Sequence, residues 1–342
     1  MAAASPRPVK GQNGETIIHT SGLSKEFRGE YAVQDVTFDI PRGTIFGFIG
    51  PSGSGKTTTI RLLTGLVRPS AGEISVFGRP PFRFRTRIRE RIGYMPQLFA
   101  LYPELTVWEN LNFAASIYGM GPFRGKRLHD VLNFVELDAH RNKLAREISG
   151  GMQRRLSLAA TLLHKPELIF LDEPTAGIDP ILRAKFWEHF QALKEAGRTL
   201  FITTQYVSEA ANCDSIGLMS EGHLIAADSP EGLRRKAYGG DIIELRTATR
   251  LSYDLLQKLE EVPGVRPGIN RDGEKGLRVG VVDAAAAIPD IVEWCRQNNI
   301  EVDSIAPYQP PFEDVFVDLV NNASAEQEAA ATITEPAGGP NQ

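Results

Sequence analysis

Residues 44–63 read TIFGFIGPSGSGKTTTIRLL: an apolar run, a glycine-rich turn and a helical stretch, in that order. TIFGFIG has the length and the aromatic and β-branched content of a buried strand. GPSGSGKT, residues 50–57, then meets the pattern G-x-x-x-x-G-K-[ST] in the strand–loop–helix context that gives the pattern its meaning. Loop amides must point inward at phosphate oxygens, and a Cβ would obstruct them, so glycine is required. Gly50, Pro51, Ser52, Gly53, Ser54, Gly55, Lys56, Thr57 and Thr58 are therefore the candidate phosphate cradle. Lys56 supplies a cation for the β and γ phosphates, and the Thr57 hydroxyl is a Mg²⁺ ligand. A purely structural glycine turn would not need the Lys-Thr pair.

Outward from this loop, ELIFLDE (167–173) and TLFITT (199–204) are further apolar runs alternating with helical stretches from about residue 15 to 235. This predicts an α/β domain with buried, largely parallel strands. Residues 97–165 interrupt the alternation with helical periodicity, as an inserted helical subdomain would. Asp172 ends its strand, where it can hold the Mg²⁺ shell, and Glu173 follows, where it can polarise a water facing the γ phosphate. Alone, such a pair could be a solvated acidic turn.

The combination with ISGGMQRRLSL (148–158) is more specific, and over residues 17–235 the chain resembles the nucleotide-binding subunits of the ATP-binding cassette family. The resemblance implies a P-loop NTPase cassette that binds ATP and Mg²⁺. It implies that Ser149, Gly150 and Gly151 grip the γ phosphate held by the opposite subunit's P-loop, so that two subunits close on two ATPs. It also implies Phe27 as the adenine-stacking aromatic, with Tyr31 as the fallback, and Gln97 as the glutamine that approaches Mg²⁺ and the attacking water. Asp179 matches the loop aspartate that contacts the partner subunit. Gln205 stands where many members have a histidine; an amide cannot carry a proton, so Glu173 is left as general base or water-positioning group. Met152 replaces the usual glutamine of the signature.

SGGM, TTQY, YPELTVWENL and the terminal PFEDVFVDLV are similar to the ATPase subunits of type-2 exporters. That likeness implies a separate membrane-spanning permease, a second copy or a paralogue of this subunit, and a peripheral place on the cytoplasmic face of the membrane. It makes segment 98–118 the docking candidate, with Leu98, Phe99, Leu101 and Tyr102 as its exposed residues, the alternative being that about half of them are core of the helical subdomain. The rival is a soluble cassette ATPase acting on DNA or ribosomes. One P-loop, one signature and no heptad run count against it.

The remainder of the chain bounds these readings. With 342 residues, 42% hydrophobic and 23% charged, the composition is that of a globular protein of about two domains. No run approaches the ~18 apolar residues of a membrane span, and the start lacks a signal peptide's apolar core. The net charge of −4 gives no general attraction to nucleic acid, and no nucleic-acid partner is expected. The arginine run RPPFRFRTRIRER (79–91) invites a nucleic-acid or lipid-headgroup reading, but on a negative chain without a recognition motif a solvated helix or hairpin face is favoured. Two cysteines, Cys213 and Cys295, support neither a disulfide framework nor a four-ligand zinc site. The expected domains are a tail over 1–14, the ATP-binding domain over 15–238, and an α+β, ferredoxin-like accessory domain of βαββαβ order over 239–320. A second tail is expected over 321–342.

Overall fold

The computed structural model describes residues 15–98, 101–273 and 275–334, with side chains described up to residue 323. The expected N-terminal tail, residues 335–342 and Phe99 lie outside the described residues. The chain divides into two compact units, Met1–Ser229 and Pro230–Gln342.

In the first unit, β1 (Thr16–Phe27), β2 (Glu30–Pro41) and β3 (Ile45–Ile49) precede the glycine loop and α1 (Lys56–Leu63). Next come β4 (Ala71–Val76), the short α2 (Thr86–Arg89) and β5 (Ile92–Met95). Then follow α3 (Val107–Ile117), α4 (Gly125–Phe134) and α5 (Gly150–Leu162). β6 (Leu168–Asp172), α6 (Pro180–Glu195), β7 (Thr199–Thr204), β8 (Ser215–Ser220) and β9 (His223–Asp228) complete it. The main sheet has the order β5-β6-β7-β3-β8-β9, parallel except for the antiparallel β8–β9 pair at its edge. Every residue of β3, β6 and β7 is buried, as parallel strands covered on both faces require.

A second sheet was not foreseen from the sequence: β2-β1-β4, antiparallel, with several register shifts between β1 and β2. The two sheets share a phenylalanine core. Phe38 of β2 stacks on Phe46 at 5.4 Å, and Phe201 of β7 lies 5.5 Å from Phe46, 5.3 Å from Phe48 and 5.6 Å from Phe170. Between residues 96 and 167 the described residues hold helices and turns and no named strand. α3 begins with a reciprocal cap between Thr106 and Glu109, which satisfies two otherwise orphaned amides.

The second unit contains α7 (Pro230–Tyr238), β10 (Asp241–Thr247), α8 (Tyr253–Glu260), β11 (Asn270–Asp272), β12 (Gly276–Val281), α9 (Ala284–Gln297), β13 (Val302–Tyr308) and α10 (Phe312–Thr334). Its sheet runs β11-β12-β10-β13, antiparallel throughout. Two differences from the sequence reading concern its ends. The division falls at Ser229/Pro230 rather than after residue 238, because α7 packs with α10 and β10. And α10 continues to Thr334, where a tail was expected from residue 321, since AEQEAAAT is rich in strong helix formers. Among the described residues no helix is long and apolar enough to cross a membrane.

Phe201 is fully buried and touches four other rings. Phe201→Ala is expected to cost ~3–5 kcal/mol in denaturant unfolding; a change below ~1 kcal/mol would show that this cluster does not anchor the sheets.

Candidate functional site

The glycine loop joins the C-terminal end of β3 to the N-terminus of α1, where unpaired helix amides favour an anion. Gly50 donates its amide to the Thr204 carbonyl at 3.2 Å, fixing the loop to the neighbouring strand end. A Cβ on Gly50 would collide with the Met219 carbonyl oxygen. Gly55 caps α1 at φ 101°, in the left-handed region, and a Cβ there would collide with the Ala32 carbonyl oxygen. Gly53 is also left-handed, at φ 83°. Pro51, Ser52 and Gly53 are exposed, Thr57 and Thr58 half-buried, and Ser54 and Lys56 buried.

Lys56 Nζ donates to the Gly50 and Pro51 carbonyls, both at 2.8 Å, and lies 3.6 Å from Glu173 Oε1. Burial lowers its pKa below the usual lysine value, and Glu173 acts in the opposite direction. Glu173 Oε2 accepts from Gln97 Nε2 at 2.9 Å. Asp172 Oδ1 accepts from Thr57 Oγ1 at 3.1 Å and from Thr203 Oγ1 at 2.7 Å. Asp172 Oδ2 is buried without a hydrogen-bond partner among the described residues. A buried carboxylate oxygen beside a hydroxyl is a donor set that fits a hard divalent cation. Loop, lysine, Asp172, Glu173 and Gln97 thus meet at one end of the parallel sheet.

Glu173 has φ 48°, a left-handed conformation that costs a non-glycine residue roughly 1–2 kcal/mol. Its amide donates to Thr203 Oγ1 at 3.0 Å and to the Thr203 carbonyl at 3.1 Å, and its carbonyl accepts from Arg154 Nη1 at 2.7 Å. Arg154 and Thr203 were missed from the sequence. Thr203 had a visible signal, a hydroxyl at the buried end of an apolar strand; Arg154 had none, being one of two adjacent arginines.

The other expected residues divide into two groups. Gln205 directly follows Thr204, the partner of Gly50, and is exposed. Phe27 and Tyr31 are both exposed and flank the β1–β2 turn; Ala32, next to Tyr31, abuts Gly55. Lys25 Nζ sits 4.9 Å from the centre of the Phe27 ring. Ser149 caps α5 by accepting from the Met152 amide at 3.3 Å, leaving Gly150 and Gly151 in the first turn. Asp179 caps α6 through the Leu182 amide at 3.0 Å. Gly151 faces Leu182, so the two caps are neighbours. Among the described residues no hydrogen bond or ion pair joins Ser149, Gly150, Gly151 or Asp179 to the glycine loop.

A family described as ABC transporter matches residues 33–176. A daunorubicin resistance ATP-binding protein, DrrA3 of Streptomyces coeruleorubidus, is 35% identical over 320 residues, covering 92% of this chain and 99% of that protein. The chain belongs to the ABC transporter family of ATP-binding proteins. A Nod factor export ATP-binding protein of Ralstonia nicotianae is 35% identical over 70% of this chain and 75% of its own length. A probable multidrug ABC transporter ATP-binding protein of Escherichia coli is 39% identical over 67% of this chain, which spans only 40% of that relative. Among solved structures, an ATP-binding subunit of an ABC transporter superposes with TM-score 0.59 and 29% identity, over 65% of this chain and 93% of that one. A dimeric ATP-binding cassette in a post-hydrolysis state with ADP and Pi gives TM-score 0.58 and 27% identity, over 62% and 98%. The first unit is therefore an ABC ATPase cassette, α/β with a mixed main sheet.

Lys56→Ala in this cassette is expected to weaken ATP binding at least ~10-fold by equilibrium titration, since it removes the buried cation of the loop. Unchanged affinity would contradict the loop's assignment as the phosphate site.

Proposed function

We propose that this chain is the ATP-hydrolysing subunit of an exporter, closing with a second copy or a paralogue on two ATPs and driving a separate membrane-spanning permease. One observation carries the reading: Lys56, Asp172, Glu173 and Gln97 converge on the glycine loop, while among the described residues the Ser149 cap, with Gly150 and Gly151 behind it, makes no hydrogen bond to that loop. A second helix start of this kind, not bonded to the chain's own loop, is what a partner's nucleotide needs.

In this reading the loop amides and Lys56 hold the β and γ phosphates. Asp172 and Thr57 would hold Mg²⁺, which when bound offsets phosphate charge. Glu173 accepts a hydrogen bond from the attacking water and takes up its proton as the water oxygen bonds to the γ phosphorus and the bond to the β,γ-bridging oxygen breaks. Gln97 orients the Glu173 carboxylate, and Gln205 adds an amide at the loop's mouth without a proton role. Phe27 or Tyr31 stacks on adenine, and Asp179 meets the partner subunit.

Export, rather than import or a soluble task, is supported by what the relatives are named for: daunorubicin resistance and Nod factor export. The permease contact is assigned to segment 98–118. Leu98 is 84% and Tyr102 51% exposed, and Tyr102 lines a cavity of about 220 Å³ with Pro96, Leu101, Phe113, Ile117 and Tyr118 among others. Leu101 is half-buried. α3 to α5 correspond to the helical subdomain, and the second unit's β10-α8-β11-β12-α9-β13 order to a ferredoxin-like accessory domain. The assembly would sit peripherally on the cytoplasmic face of the membrane.

Glu173→Gln is expected to cut ATP turnover by ~10²-fold or more while leaving ATP affinity intact. Steady-state phosphate release and nucleotide titration on the same preparation check this; unchanged turnover would remove Glu173 from its role.

A further inference from the structure

The arginine run is the feature that this function leaves unused. Between Arg79 and Arg91 the chain carries six arginines: 79, 83, 85, 87, 89 and 91. Arg91 turns inward, with Nε 2.6 Å and Nη2 2.8 Å from the Glu167 carboxylate and its guanidinium 3.9 Å from the Phe77 ring centre. The other five are exposed. Pro81 and Phe84 are buried and Ile88 packs on the main core, so apolar anchors at three points hold the segment down and aim the intervening arginines at solvent.

Adjoining these arginines is an apolar tip. Phe82 is 39% and Leu66 64% exposed. The Arg68 and Arg83 guanidinium carbons lie 5.6 and 5.7 Å from the Phe82 ring centre. The turn after α1 abuts the Pro81 turn: a Cβ on Gly65 would meet the Pro81 oxygen at 2.6 Å. Leu66, Arg68, Phe82 and Arg83 therefore share one surface. Among the described residues, none of Arg68, Arg79, Arg83, Arg85, Arg87 and Arg89 forms an ion pair with an acidic side chain. The acids in the adjoining sequence are Glu73 and Glu90, both exposed.

On a chain of net charge −4, a concentration of arginine without acidic partners creates a strong local positive field. Guanidinium groups suit phosphate oxygens, and an exposed phenylalanine and leucine beside them suit the boundary between headgroups and acyl chains. A leucine side chain has no stacking use against nucleobases, which favours a lipid surface over nucleic acid. We propose that this surface docks directly on anionic phospholipid, with Phe82 and Leu66 inserted at the headgroup level and the arginines on lipid phosphates. It deepens the membrane-peripheral function proposed above by giving the cassette a lipid contact of its own, independent of a permease. The surface leads into the start of β5, whereas Gln97 follows its end, so lipid and nucleotide occupy opposite ends of that strand.

The test is cosedimentation of the full chain, without permease, on vesicles of phosphatidylcholine alone and of phosphatidylcholine with phosphatidylglycerol. Binding is expected only on the anionic vesicles and is expected to fall as salt is raised. The quadruple variant Arg83→Glu, Arg85→Glu, Arg87→Glu, Arg89→Glu is expected to bind at least ~30-fold more weakly, given the contribution of each basic residue near an anionic leaflet. Its basal ATP turnover and circular dichroism should match wild type. Phe82→Ala is expected to weaken binding a few-fold. Absence of binding to anionic vesicles, equal binding to both kinds, or indifference to the quadruple variant would overturn the proposal. Tighter binding to duplex DNA through the same arginines would overturn it in favour of nucleic acid. Because neither permease nor hydrolysis enters the assay, failure here leaves the Glu173 test of the ATPase reading untouched.

Discussion

A lysine ammonium buried at the root of a glycine loop, with two carboxylates from the next strand but one, is the constraint on which the structure turns. A buried cation is tolerable only if it is compensated, and the compensation here comes from two loop carbonyls and Glu173. For those groups to meet, β3 and β6 must lie parallel and end at the same level. The register of β3 on β7 and of β7 on β6 enforces this, and β7 supplies Thr203 and Thr204 to tie both strand ends together. The phenylalanine core beneath keeps the two sheets in place. Packing, register and electrostatics thus converge on one small volume.

The same volume contains one of the described non-glycine residues that hold a left-handed backbone. Glu173 holds a left-handed backbone because Thr203 takes its amide and Arg154 its carbonyl, while Gln97 and Lys56 fix its carboxylate. These four contacts fix both the backbone and the carboxylate of Glu173 in one place. Arg154 belongs to α5, the helix that Ser149 caps, so under the proposed function a partner's phosphate at that cap would act on the helix that holds Glu173. In that function the contact would link closure of the subunits to the position of the Glu173 carboxylate.

Much of this site was legible in the sequence because its chemistry is local. Gly50 to Thr58 are one continuous loop and helix start, and Asp172 and Glu173 are adjacent, so a short stretch carries each element. Their convergence was legible only as strand-end placement in an α/β pattern. Arg154 and Thr203 escaped because their role is to hold a backbone distant in sequence, and residue type does not encode that. The β2-β1-β4 sheet escaped for a related reason: register shifts break the alternation of β1 and β2 that marks an antiparallel strand. The domain boundary was misplaced because α7, polar and short, continues the first unit's helical pattern while packing in the second. The helix past residue 320 is not legible from apolar content, which is low there; the helix propensity of its alanine, glutamate and glutamine residues is what carries it.

The proposed function gives this ABC ATPase a membrane partner, and the most direct measurement is to isolate the chain from its native cells in mild detergent and identify what accompanies it in stoichiometric amount. The account predicts a polytopic membrane protein, retained by the wild-type chain and lost when exposed Leu98 and Tyr102 are replaced by charged residues. Stoichiometric ribosomes or DNA with no membrane protein would contradict the transport function and leave a soluble ATPase in its place.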